Sequence, residues 1–179
     1  MTLTELTDKL SRAGITDAAY EASLLVGHFM GISRAKTLAD GKNADYRSPQ
    51  LEAAAEKRCT RYPLQYILGK WEFAGLEFEV NENCLIPRPD TEVLVEKVID
   101  FVGDKSCTVL DIGTGSGIIP LILAQKGVGA VDAVELDSDS YEEANLNFNI
   151  SVYSEKLCVI QSDVRNYAEK NEKKRTPEK

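Results

Sequence analysis

The sequence predicts an α/β protein, with a helical N-terminal part followed by a parallel, doubly wound sheet. Three observations predict it. Apolar residues recur at steps of three and four up to about residue 70, the period shifts towards two at Trp71, and from Cys107 short apolar runs alternate with helical stretches. Strand–helix–strand order of this kind implies parallel strands joined by right-handed crossovers. The 179 residues are 43% hydrophobic and 28% charged, the balance of a folded globular chain and not of a disordered or fibrous one.

The helical part begins at Thr2-Leu3-Thr4-Glu5, which has the spacing of a capping box, and Leu3, Leu6, Leu10 and Ala13 follow on one face before Gly14. A second helix is expected from Thr16 or Asp17, with Ala22, Leu25, Val26 and Phe29 inward and Gly31 as its stop. A short helix follows around Arg34 to Leu38, then a polar turn, Asp40-Gly41-Lys42-Asn43. Ser48-Pro49 supplies a cap and a first-turn proline for a helix reaching about Tyr62, with Leu51, Ala55, Cys59 and Tyr62 inward. Trp71 to Val80 alternates apolar with polar around Ala74-Gly75, as a hairpin does. In Leu85 to Glu92 two prolines fix φ, and Asp90 or Thr91 is placed to cap a helix that buries Leu94, Val95, Val98, Phe101 and Val102. The order expected beyond it is strand Cys107–Ile112, helix Ser116–Lys126, strand Val131–Leu136, helix Ser140–Ile150 and strand Leu157–Gln161. Glu169 to Lys179 carries no side chain that could be buried for gain and reads as a solvated polar tail.

Composition also removes several functions. Twenty-one Lys and Arg against 29 Asp and Glu give a net charge of −8, which argues against a surface that tracks nucleic acid throughout. The longest nearly apolar run, Ile118 to Ala124, is far shorter than the ~20 residues of a membrane span, and the N-terminus shows no basic start followed by an apolar run. Cys59, Cys84, Cys107 and Cys158 form no CxxC pair, and His28 is the single histidine, so zinc, disulfide-framework and histidine-based hydrolytic chemistry are set aside. His28 falls among apolar neighbours and reads as structural. A reducing cytoplasm fits this cysteine usage.

The chemical centre is Val109-Leu110-Asp111-Ile112-Gly113-Thr114-Gly115-Ser116-Gly117: a strand, a turn with glycine at every second position, then a helix. Such glycines allow positive φ and close approach of a ligand, and the helix N-terminus offers unpaired N–H groups to an anion. NAD, FAD and S-adenosylmethionine all use this pattern, and three details choose among them. Asp111 puts a carboxylate where a diphosphate would be repelled and an ammonium group welcomed. Position 118 is Ile, so the third glycine of the dinucleotide fingerprint is missing, and no phosphate-binding Lys follows. Glu135, 22 residues after Gly113, ends the second strand where an acid can accept ribose hydroxyls, with Asp137 as its competitor. Asp163 ends the third strand, placed to receive an adenine amino group, and Val164 can flank the ring. For each acid the alternative is an ordinary surface carboxylate.

Pro63-Leu64-Gln65-Tyr66-Ile67-Leu68-Gly69, Phe73 to Phe78, Leu85-Ile86-Pro87-Arg88-Pro89-Asp90-Thr91-Glu92 and Asp111 to Gly117 resemble, in order, the HemK/PrmC family of protein-(glutamine-N5) methyltransferases, which modify peptide chain release factors. The resemblance implies a helical domain over about 1–70 that docks the release factor, a hairpin linker at 71–89, part of a class I (Rossmann-like) methyltransferase domain at 90–168, and the polar tail at 169–179. It implies S-adenosylmethionine as cofactor, held by Asp111, Gly113, Thr114, Gly115, Gly117, Glu135, Asp163 and Val164, with Arg88, Pro89 and Thr91 closing the pocket beside the acceptor amide. After about residue 118 the run Ala133 to Ala144 with Asn147-Phe148-Asn149 also resembles bacterial tRNA (adenine-N6) methyltransferases, which makes a tRNA adenine the alternative acceptor. Both families carry an Asn-Pro-Pro-(Tyr/Phe) turn whose oxygens orient the attacking nitrogen. No proline here follows an asparagine, so the catalytic residues stay unassigned. The expectations are a chain cut short of that turn, cofactor binding weakened or lost, turnover near zero, and a three-strand sheet whose unpaired edge brings marginal stability or self-association. A module that docks release factor without modifying it is the non-enzymatic alternative.

Overall fold

The computed structural model describes residues 1–41, 44–103 and 107–175. The chain divides into two compact units, Met1–Gly69 and Lys70–Lys179.

Helix α1 (Leu3–Arg12) opens the first unit with a complete capping box. The Glu5 N–H donates to Thr2 Oγ1 at 3.1 Å, and the Thr2 N–H donates to Glu5 Oε2 at 2.7 Å. Helix α2 (Ala18–Met30) ends where Gly31 turns left-handed, at φ 65°. Ser33 caps α3 (Arg34–Ala39), and Ser48 caps α4 (Pro49–Cys59) with proline in its first turn. Leu6, Leu10, Leu25, Val26, Leu51 and Ala55 close the core of this unit. Beside it Arg58 grips Glu21 with two bonds, Nε to Oε2 at 2.5 Å and Nη2 to Oε1 at 2.9 Å. Two expectations change here. Helix α4 stops at Cys59, short of Tyr62, because Arg61 takes a left-handed φ of 69° that no helix can continue. The Pro63–Gly69 motif then forms a further helix, α5 (Leu64–Leu68), too short to show a period. His28 is exposed on α2, edge-on to Phe29.

The second unit opens with the antiparallel hairpin β1 (Lys70–Phe73) and β2 (Leu76–Glu79), in register Trp71↔Phe78 and Phe73↔Leu76. Ala74 and Gly75 both have positive φ, 51° and 77°, the two-residue turn whose twist matches the strands. Phe73, Phe78 and Val80 are buried with Val95, Ile122, Leu123, Val131 and Phe148, so the hairpin is packed into the core of this unit. Helix α6 (Pro89–Val102) starts with Arg88 at its cap position, not Asp90 or Thr91, because Pro89 takes the first helical place. It buries Val95 and Val102 and leaves Leu94 and Phe101 exposed, correcting the expectation for those two.

Strands β3 (Thr108–Ile112), β4 (Ala130–Glu135) and β5 (Leu157–Gln161) form one parallel sheet in the order β3-β4-β5. Crossover helices α7 (Ile118–Gln125) and α8 (Ser138–Ile150) connect them, and α9 (Val164–Arg175) follows. Residues 169–175 therefore continue a helix where a loose tail was expected, and 176–179 lie outside the described residues. Alternation along the strands splits the two faces. Val131 and Ala133 on one face are fully covered, whereas Leu110, Ile112 and Ile160 on the other remain open. Among the described residues β3 and β5 each keep one unpaired edge. No described helix is long and apolar enough to cross a membrane.

Candidate functional site

The carboxyl end of β3 runs straight into the glycine turn, where Gly113, Gly115 and Gly117 have φ of 76°, 57° and 80°. The turn is hooked onto the neighbouring strand: the Gly113 and Thr114 N–H groups both donate to the Val134 carbonyl, at 2.8 and 3.3 Å. It then closes on itself through the Gly117 N–H to the Thr114 carbonyl at 3.0 Å. At Gly117 glycine is required twice over, because its φ is left-handed and a Cβ there would lie 2.5 Å from the Phe148 ring. Gly117 is also the cap residue of α7 and provides no side-chain cap, so N–H groups of the first turn of α7 are left for an anion.

Two carboxylates belong to this turn. Asp111 Oδ2 accepts the Thr114 hydroxyl at 2.7 Å. Burial pushes the Asp111 carboxyl above its ordinary range; the Thr114 bond pulls against that rise, and the negative charge of Glu135 adds to it. Glu135 Oε2 accepts the Gly115 N–H at 2.9 Å, while Oε1 accepts the N–H groups of Leu136 and Asp137 at 2.9 and 3.1 Å. A carboxylate has about four lone-pair positions, so these bonds leave one on Oε2. One ligand hydroxyl can take it directly, and a second requires a backbone donor to let go.

The competing acid, Asp137, is occupied differently. Its Oδ1 accepts the Ser140 N–H at 2.9 Å and caps α8, which holds its carboxyl below the ordinary range. Asp163 caps α9 in the same way, with Oδ1 accepting the Arg165 and Asn166 N–H groups at 2.9 Å each and Oδ2 facing the Asn166 amide. These bonds lower its carboxyl too, and one position on Oδ2 stays open. Val164 beside it is exposed, as is Leu136 after Glu135, so apolar side chains stand open beyond the ends of β4 and β5.

The structure thus brings Asp111, Gly113, Thr114, Gly115, Gly117 and Glu135 into one bonded group, with Asp163 and Val164 just past the end of β5. Arg88 and Thr91 stand at the N-terminus of α6; among the described residues neither shares a hydrogen bond with the turn. Spacing did not single out the buried polar residues behind the site. Ser140, Glu143 and Asn147 share the inward face of α8 with Ala144 and Phe148. Polar residues recurring at inward helical positions were the available sign. The Ser140 hydroxyl donates to the Asn83 carbonyl at 3.0 Å, and Asn81 Nδ2 donates to Glu143 Oε2.

The donor set fits a ligand that is cationic near Asp111, hydroxylated near Glu135 and anionic at the start of α7. A diphosphate across the turn would meet two carboxylates instead.

Two family models match successive parts of the chain. Residues 2–69 match the family model of the PrmC N-terminal domain, and residues 89–174 match that of the ribosomal protein L11 methyltransferase (PrmA). A release factor glutamine methyltransferase of Chlorobaculum tepidum is 33% identical over 159 residues, covering 83% of this chain and 54% of the relative. That of Escherichia coli K12 is 38% identical over 146 residues, covering 80% and 52%. Among solved structures, an Agrobacterium tumefaciens SAM-dependent methyltransferase aligns with a TM-score of 0.49 at 19% identity, covering 59% of this chain and 36% of that one. The chain spans about half the length of the curated relatives it matches. With its helical unit matched to the PrmC N-terminal domain and four-fifths of its length aligned to release factor glutamine methyltransferases, the chain is similar to the HemK/PrmC family over both of its parts.

Proposed function

We propose that the glycine turn binds S-adenosylmethionine and that the chain serves the N5-methylation of a glutamine side chain in peptide chain release factors. The observation that carries the cofactor reading is the pairing of Asp111 and Glu135 around Gly113–Gly117. In this reading Asp111 faces the ammonium group, and the N–H groups at the start of α7 face the carboxylate of the same amino-acid portion. Glu135 receives ribose hydroxyl, Asp163 the adenine amino group, and Val164 lies along the ring. The resemblance adds Arg88 and Thr91 as residues closing the site. When bound, the cofactor supplies an electrophilic methyl group on a cationic sulfur. The chain's own residues hold and orient it, and transfer to an amide depends on geometry more than on any side-chain nucleophile.

The acceptor reading rests on the names of the aligned relatives and on charge. Residues 1–69 carry 9 Lys and Arg against 8 Asp and Glu, whereas residues 70–179 carry 12 against 21. A site-bearing unit this acidic repels a polyanion such as tRNA and suits a protein acceptor docked on the near-neutral helical unit. A protein that acts on release factors works where translation occurs, in the cytoplasm. The 179 residues contain no Asn-Pro step, so the oxygens that would orient the acceptor nitrogen are not assigned to any residue here.

A pull-down with the full chain as bait, offering a bacterial release factor and bulk tRNA together, tests the partner. Release factor retained over tRNA is the expected result, and tRNA retained over release factor overturns it. In a parallel assay of methyl transfer to the release factor, transfer near background is expected. Brisk turnover by these residues would contradict the need for an Asn-Pro-Pro turn.

A further inference from the structure

Three hydrogen bonds converge on one buried amide behind the glycine turn. Asn147 is 2% exposed in the last turn of α8. Its Oδ1 accepts the Glu79 N–H at 2.9 Å, and its Nδ2 donates to the Glu79 carbonyl at 3.1 Å and to the Ser116 carbonyl at 3.0 Å. Glu79 is the last residue of β2, and Ser116 belongs to the turn. All three partners are main-chain atoms, so the side chains at 79 and 116 are irrelevant to the clamp. The chemistry needs a short side chain with two N–H donors and an acceptor; aspartate lacks the donors, and glutamine is one methylene too long. Phe148, the next residue, lies under Gly117. Two successive residues of α8 therefore grip the same peptide unit from below.

The peptide unit at stake is the one between Ser116 and Gly117. With glycine on one side, its rotation meets little steric resistance. Rotation would break the Gly117 N–H bond to the Thr114 carbonyl and turn the Ser116 carbonyl away from Asn147 towards that oxygen. The bond from Asn147 holds that carbonyl inward.

We infer that Asn147 is a positioning residue: it fixes the Ser116–Gly117 peptide in the orientation the cofactor meets and couples it to the end of the hairpin, so that loosening one loosens the other. The positioning role rests on the cofactor reading above; the coupling stands on the geometry of the free protein.

Backbone amide exchange of the ligand-free full chain, wild type against Asn147→Asp, tests the coupling. Aspartate keeps the size and one acceptor but sets an oxygen against two carbonyls. Exchange at both Gly117 and Glu79 is expected to quicken by about tenfold or more, with Val131 and Val134 of β4 as protected as before. Acceleration spread evenly over β4, confined to either amide, or absent overturns the coupling. Should Asn147→Asp not fold, Asn147→Ser, which keeps a single donor, is read by the same pattern. In the folded variant the Kd for S-adenosylmethionine is expected to rise about tenfold, and an unchanged Kd overturns the positioning role. If the wild type binds no S-adenosylmethionine, the cofactor reading fails, while the exchange pattern still decides the coupling.

Discussion

Asp111 on β3 and Glu135 on β4 each accept a hydrogen bond from the glycine turn, and their environments differ. Glu135 is held by three backbone N–H donors, whereas Asp111 has a single hydroxyl and a buried setting. Burial raises the Asp111 carboxyl in the folded chain, and the Glu135 charge adds to this. The folded state therefore binds that proton more tightly than the unfolded state, so this residue's contribution to stability falls as pH rises through the interval between the two values. Asp111→Asn keeps an acceptor for Thr114 and removes the buried charge. Thermal melts from about pH 4 to about pH 7 should show the variant gaining on the wild type as pH rises. The same variant should bind S-adenosylmethionine more weakly, because the ammonium group loses its counter-charge. A variant no more stable than wild type at the upper end would contradict the desolvation account.

At the scale of elements, the turn depends on α8 lying directly beneath it. Gly117→Ala meets both a left-handed φ and the Phe148 ring at 2.5 Å. The expected loss is about 2–4 kcal/mol in urea unfolding, the sum of backbone strain and overpacking. In a Phe148→Leu background the added loss should be smaller, since that removes the clash but not the strain. Equal losses in the two backgrounds would show that the ring is not the obstacle. Elements of this kind differ in how far they can be read from sequence. The Thr2–Glu5 capping box, the Ala74-Gly75 turn and the glycine turn are local, with every partner within a few residues, and they were legible. The role of Asn147 was not, because its partners lie 31 and 68 residues away and only the folded chain brings them together. Leu94 and Phe101 were misplaced for a related reason. Periodicity shows that α6 has apolar faces, but not which of them meets a neighbour. Glu135 was preferred to Asp137 because it ends the apolar strand, and the structure adds that Asp137 is occupied in capping α8.

Across the whole molecule, the unevenly covered sheet has a consequence. Parallel strands normally have both faces covered, yet Leu110 and Ile112 on β3 and Ile160 on β5 stay open on strands that each keep an unpaired edge among the described residues. Sedimentation at increasing concentration should reveal self-association, and Leu110→Lys, which puts a charge on that face away from the turn, should reduce it. A wild type that stays monomeric would contradict this expectation. Charge is also distributed by unit: the helical unit is nearly neutral and the sheet-bearing unit is acidic, which is why the partner expected is a protein and not a nucleic acid.

The account as a whole turns on what the glycine turn holds, and calorimetric titration of the full chain with S-adenosylmethionine and, separately, with NAD tests that most directly. S-adenosylmethionine should bind and NAD should not, with the S-adenosylmethionine affinity falling about tenfold in Glu135→Gln as one charge-assisted acceptor is lost. Preference for NAD, or an affinity indifferent to Glu135→Gln, would contradict it.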